Sequence, residues 1–230
     1  GLSLGHGLSS KPDMIMLKSR SETAPWYVWH KGLDSETQSY LKLNETDTYT
    51  GNTSVWNNTA PTSSVFSTVS NYSIGNDSKA IAYCFHDVTG YSKFDSYTGN
   101  GSTTGPSITL GFRPSLLVIK SATVAESWFM MDTTRTPVTT LNTYLQAEQT
   151  ADESTTANAN TAISDTGFQI KTAHEAFNKD GDTYIYMAFA DKREYGYWLD
   201  QSGQNNDWTQ IDVTESDISL DNPSNSFCTM

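Results

Sequence analysis

Lys11-Pro-Asp-Met-Ile-Met-Leu-Lys-Ser-Arg20, with Trp26-Tyr-Val-Trp-His30 behind it, returns as Arg113-Pro-Ser-Leu-Leu-Val-Ile-Lys-Ser-Ala122 and Trp128-Phe-Met-Met-Asp132. Pro12 to Pro114, Lys18 to Lys120, Ser19 to Ser121 and Trp26 to Trp128 are each a shift of 102, so no gap separates them. Tyr40-Leu41 then matches Tyr144-Leu145, and Ile81, Phe85 and Asp87 match Ile185, Phe189 and Asp191, at a shift of 104. A two-residue insertion therefore falls between Trp128 and Tyr144. The pattern reads as a tandem duplication of a unit of roughly one hundred residues, the size of a small domain. Residues 1–90 and 91–191 are the expected repeats, and 192–230 is a connector or the start of a further, lectin-like domain.

Within each unit the strand signals dominate. Met14 to Leu17 is a short apolar run between Pro12 and Lys18, as suits a strand buried on both faces. Trp26 to His30 reads as a second, aromatic strand. Val65 to Ile74 and Ala80 to His86 read as a strand pair turning at Gly75-Asn-Asp77. Tyr91, Lys93, Asp95 and Tyr97 alternate on one face of a further strand, for which repeat one has no counterpart after Gly1. Asn178-Lys-Asp-Gly-Asp182 reads as the last hairpin turn, and Thr and Asn limit residues 146–160 to a turn or two of helix. Short strands with frequent turns predict an all-β fold, two tandem copies of a β-sandwich-like domain.

Composition narrows the function classes. The 230 residues carry a formal net charge of −12. That excess argues against nucleic acid or an anionic membrane as partner, because phosphate binding needs clustered Lys and Arg. No apolar run reaches the length of a membrane span, so membrane insertion is not expected. The first residue is not Met, which suggests a processed chain or part of a longer one. Cys84 and Cys228 form neither a disulfide framework nor a metal spacing, and Cys84 reads as a buried free thiol.

Candidate chemistry is sparse. Asp200-Gln-Ser-Gly-Gln-Asn-Asn-Asp207 alternates acidic and amide oxygens as calcium loops do, but lacks the full spacing and a closing Glu. Calcium near Asp200 and Asp207 is thus a candidate beside a plain solvated turn. His6, His30, His86 and His174 bring no metal or catalytic motif with them, and the chain is expected not to be an enzyme. Lys18 and Lys120, at strand ends, read as solvated charges that blunt the strand, with anchoring of an acidic ligand as the alternative. Trp26 and Trp128 sit in apolar strands and suit core packing. Trp56 lies in the Asn/Thr/Ser-rich stretch 44–64, and with Asn57 and Asn58 it is the candidate binding group, an exposed aromatic face for a sugar ring.

A family resemblance rests on Gly5-His-Gly-Leu8, Lys18-Ser-Arg20, Trp26-Tyr-Val-Trp-His30, Trp56-Asn-Asn-Thr-Ala-Pro-Thr-Ser-Ser-Val-Phe66 and Ala82-Tyr-Cys-Phe85. Tyr91-Ser-Lys-Phe94, Ser96-Tyr-Thr-Gly-Asn-Gly-Ser102, Gly111-Phe-Arg-Pro114, Asp132-Thr-Thr-Arg135 and Thr183-Tyr-Ile-Tyr-Met-Ala-Phe-Ala190 continue it. Residues 4–191 resemble an uncharacterised domain of marine bacteriophage structural proteins, and Leu199 to Trp208 resembles the opening of a laminin-G or concanavalin-like segment. The resemblance implies a virion structural protein, tail-fibre or appendage-like, that attaches to a host-surface glycan or protein. It implies partners among other virion proteins and a homo-oligomer, a trimer by analogy with phage fibres. A capsid-surface decoration protein without a receptor is the alternative, and a glycan depolymerase tailspike a further one.

Overall fold

The computed structural model describes residues 1–51, 55–69, 79–135 and 139–191. The first half contributes strands β1 (Leu2–Gly5), β2 (Met14–Ser19), β3 (Tyr27–His30), β4 (Ser39–Lys42), β5 (Thr50–Gly51), β6 (Val65–Thr68) and β7 (Ala80–Phe85). The second contributes β8 (Ser92–Thr98), β9 (Ser107–Thr109), β10 (Pro114–Ser121), β11 (Trp128–Asp132), β12 (Thr140–Leu141), β13 (Thr143–Gln146) and β14 (Ser154–Thr155). It ends in β15 (Thr161–Ser164), β16 (Gly167–Ile170), the short helix α1 (Glu175–Asn178) and β17 (Thr183–Ala190). The fold is all-β and sandwich-like, with antiparallel pairing throughout. A single 3-10 turn, Ala157–Ala159, is all the helix that the stretch 146–160 forms.

Two large sheets carry the fold, one in the order β5-β4-β3-β2-β7 and the other β14-β13-β11-β10-β17-β8. Their pairing registers are the same at the two sequence offsets. Met14 faces His30 and Phe85, as Leu116 faces Asp132 and Phe189. Tyr27 faces Lys42 as Phe129 faces Gln146, and Ser39 faces Gly51 as Thr143 faces Thr155. The smaller ladders agree too: Leu4 faces Phe66, and the Ile170 N–H donates to the Pro106 carbonyl at 3.1 Å. Register is fixed this firmly because a one-residue slip would turn every buried side chain to the opposite face.

The alternation of β2 explains the layering. Met14 and Met16 point to a core shared with Val118, Trp128 and Ile185 of the other sheet, while Ile15 and Leu17 point away, to Trp29, Trp56 and Phe66. In β10, Leu116 and Val118 face the shared core, whereas Leu117 and Ile119 face a third core with Phe129, Phe168, Phe177 and Tyr184. The large sheets thus pack face to face, with β1-β6 outside one and β12-β15-β16-β9 outside the other. Gly1–Ala190 form one compact unit, so residues 1–90 and 91–190 pack as one body around their shared core. The segment 192–230, including the expected connector and Asp200 and Asp207, lies outside the described residues.

Two local expectations are corrected. β6 and β7 are not hairpin partners, since β6 pairs with β1 and β7 with β2. Phe66 is drawn into the outer core and β7 into the large sheet, and alternation alone cannot say which layer a strand joins. Asn178 to Asp182 does not close a hairpin either; it leads from α1 into β17, with Gly181 at φ +78°.

Candidate functional site

The crossover from β7 to β8 gathers the charges of the junction. Lys31 reaches Asp13 at 3.0 Å and Asp87 at 3.2 Å, and Lys93 also pairs with Asp87. Asp87 Oδ1 accepts the Phe94 N–H at 2.8 Å, and Asp13 Oδ2 accepts the Asp87 N–H at 2.6 Å. Partial burial alone would raise the Asp87 pKa, but Lys93, the Phe94 N–H and Lys31 outweigh it and hold the carboxyl below its ordinary range. The same burial acts against the Lys31 ammonium, and Asp13 and Asp87 more than offset it, so its pKa rises.

A cleft of about 460 Å³ opens beside this network, between the turn Asp87–Gly90 and the turn Thr109–Gly111. Gly90 (φ +72°) and Gly111 (φ +84°) let both turns reverse sharply, so backbone as well as side chains line the opening. Val88, in its lining, stands exposed, as does Tyr91, which lies between the lining residues Gly90 and Ser92 in the chain. Apolar surface from Val88 and Leu110 with hydroxyls from Thr89 and Thr109 suits a sugar or a short peptide, whose faces are likewise part apolar and part polar. The motif Tyr91-Ser-Lys-Phe94 was visible in sequence; its approach to Gly111 depends on the third dimension.

Trp56 is not the exposed aromatic that the sequence suggested. It is 1 % exposed, packed with Trp29 and Phe66, and its Nε1–H donates to the Ser39 carbonyl at 3.1 Å. A large apolar ring gains more from burial than the polar loop around it loses, and the one polar group finds an acceptor. Asn57 and Asn58 do remain at the surface, both in left-handed conformation (φ 52° and 49°), with the Asn58 side-chain oxygen accepting from Gln38 at 3.2 Å. Of the three residues, then, the structure leaves two on the surface.

The lysines behave unequally. Lys120 is wholly buried, not solvated, and its Nζ donates to the Ser121 carbonyl at 2.6 Å and to the Thr46 carbonyl at 3.3 Å. Burial lowers its pKa to about 8, against the attraction of Glu148, Glu126 and Asp47. Lys18 is only half-buried and lies over the Trp26 ring, which in turn stacks on Tyr83. The two tryptophans differ in the same way. Leu43 N–H donates to the Trp26 carbonyl and Ala147 N–H to that of Trp128, so their backbones are placed alike. Trp128 is nevertheless covered, its Nε1–H on the Lys42 carbonyl at 3.0 Å, whereas Trp26 is half-buried.

His30, which no sequence motif marks, is locked between the large sheets. Its Nδ1 accepts the Gly32 N–H at 3.0 Å and its Nε2 lies 3.2 Å from the Tyr186 carbonyl, which fixes the neutral tautomer with the proton on Nε2. Burial lowers its pKa to about 4. Cys84 is a free thiol whose pKa burial raises to about 11, far from the range of a reactive thiolate. Among the described residues no three His, Cys, Asp or Glu side chains are grouped as metal ligands.

Residues 1–193 match a family model, the Domain of unknown function (DUF7483). No curated protein and no solved structure matches the chain.

Proposed function

The chain belongs to the DUF7483 family, and we propose that it is a non-enzymatic structural module of a bacteriophage appendage that presents surface turns to a host-surface glycan or protein. The observation that carries this reading is the cleft at Asp87–Gly90 and Thr109–Gly111 with Tyr91 exposed beside it, held on one firmly layered unit. A recognition surface made of turns on a rigid β scaffold can vary without disturbing the core. The resemblance of residues 4–191 to marine phage structural proteins supplies the virion setting, and the equal registers of the two large sheets support reading the halves as copies of one unit.

In this setting the chain works as a homo-oligomer, a trimer by the same resemblance, beside other virion proteins. Closed symmetry is the usual outcome for identical chains, and several weak sites held together bind far more tightly than one. Deleting residues 44–64 would be a poor probe, since it removes Trp56 from a core. The informative variants are Tyr91→Ala and the pair Asn57→Ala with Asn58→Ala. Binding of the purified chain to host cells should fall at least tenfold in one of them. Immunogold electron microscopy of virions should put the label on an appendage. Label on the capsid with no cell binding supports the decoration protein instead, and no label on the particle defeats both.

A further inference from the structure

β17 and β7 occupy the same place in the two large sheets, yet among the described residues only β17 has a strand on its outer side. β8 pairs with β17 from Thr183↔Thr98 to Phe189↔Ser92, and this buries Ile185 to 2 % exposure. β7 is the terminal strand of its sheet among the described residues, and its Ile81 and Tyr83 are 38 % and 41 % exposed. Arg20 N–H donates to the Lys79 carbonyl at 2.6 Å, which sets the antiparallel alternation. Ile81, Tyr83 and Phe85 therefore bond inward to β2, and Ala80, Ala82 and Cys84 turn their N–H and C=O groups outward. Among the described residues no strand covers this edge, and an edge with apolar side chains is a template for another strand.

We propose that the outer edge of β7 is a strand-acceptor site, filled by an extended segment of a partner polypeptide with an apolar residue at alternate positions and an acidic end. The apolar alternation follows from β8, whose Phe94 sits opposite Met187 and is fully buried in the shared core. In the same register a partner's aromatic residue lies opposite Tyr83 and extends the stack of Tyr83 on Trp26. The acidic end follows from charge. Lys18 faces Ile81 across the β2–β7 ladder, Arg20 and Lys79 follow at the same end, and these three cations cluster in a chain of net charge −12. An antiparallel partner brings its C-terminal end to them. The mode is β-strand addition, with backbone bonds giving affinity and alternate side chains giving selectivity. It does not depend on the host-attachment reading.

The probe is a synthetic peptide of the sequence Tyr91–Thr98 followed by two aspartates, added to the intact chain, with a shuffled peptide of the same composition as control. Amide hydrogen exchange at Ala80, Ala82 and Cys84 should slow at least tenfold, while Tyr184, Tyr186 and Ala188, already paired with β8, stay unchanged. Ala82→Pro removes one outward N–H without touching the β2 ladder and should weaken binding at least tenfold. If that variant fails to fold by circular dichroism, Ile81→Glu, which keeps every backbone group but removes the apolar side chain and repels the acidic end, should still weaken it severalfold. The proposal is overturned if the β7 amides are unaffected, if the shuffled peptide protects them equally, or if β8 is displaced instead. Protection that rises with protein concentration alone also overturns it, because a second copy would then occupy the edge.

Discussion

Acidification from pH 7 to pH 4 should destabilise this protein through one residue, His30. Its ring is buried between the sheets, with Nδ1 accepting from Gly32 and Nε2 facing the Tyr186 carbonyl, so a second proton would point at an N–H donor in a site closed to solvent. Its pKa falls from 6.5 to about 4, chiefly by burial. Between those values the unfolded chain binds a proton that the folded chain refuses, so stability is full above pH 6.5 and declines as pH falls toward 4. At about 1.4 kcal/mol per unit, the whole window is worth about 3 kcal/mol. The carboxyls of Asp87 and Asp132, held below their ordinary value of 3.8, release their share of stability only at lower pH. Urea unfolding at half-unit steps from pH 4.5 to 7.5 measures the slope. His30→Gln, which keeps an amide N–H toward Tyr186 but does not titrate, removes it. Glu126, whose pKa burial raises, contributes equally to both proteins and cancels in the comparison. Parallel pH profiles for the two proteins would refute the reasoning.

Three further outcomes test the packing. Trp128→Ala, which empties a covered site and frees the Lys42 carbonyl, should cost about 3–5 kcal/mol in chemical denaturation, whereas Trp26→Ala should cost about 1 kcal/mol. Lys120→Met should raise stability at pH 7 by about 1 kcal/mol, because a buried ammonium is replaced by a chain of similar shape at the loss of two hydrogen bonds. That gain should shrink from pH 8 to 10, where the wild-type lysine, with its pKa lowered from 10.5 to about 8, is already neutral in the fold but still charged when unfolded. Asn178→Ala should cost about 3 kcal/mol and speed hydrogen exchange at the Asn100 amide. The buried Asn178 amide donates to Asn100 Oδ1, the Ser102 carbonyl and the Thr172 carbonyl, and its oxygen accepts the Asn100 N–H.

The strands were legible because their signals are local. Met14 to Leu17 is apolar on consecutive residues because both faces of β2 are covered, and the offsets of 102 and 104 reappear unchanged in the ladder registers. Side-chain environment was not legible, because it depends on what lies opposite. The loop around Trp56 is polar, and that polarity describes its neighbours in sequence; nothing local reveals that the Ser39 carbonyl waits below it. The cleft joins turns about twenty residues apart, and the charge network beside it, Asp13, Lys31, Asp87 and Lys93, follows no period.

Like sequence in the two halves also does not imply like surroundings. When two similar sheets lie face to face, each position meets what the other sheet happens to place there. The segment Lys42–Tyr49 covers the end of the second sheet, with Lys42 over Trp128, Thr46 over Lys120, and the Tyr49 N–H on the Ala122 carbonyl at 2.8 Å. At the matching end of the first sheet Trp26, Lys18, Ile81 and Tyr83 keep surface open to solvent. The substitutions follow this difference. His30 can be histidine because the neighbouring sheet offers it a carbonyl, whereas Asp132, at the equivalent position, instead accepts the Thr134 and Arg135 N–H groups and pairs with the Arg135 guanidinium. Each half thus keeps the backbone of the pattern and adapts its side chains to the side on which the other half lies. Among the described residues nothing covers the face at Trp26 and β7, which is why the strand-acceptor proposal falls there.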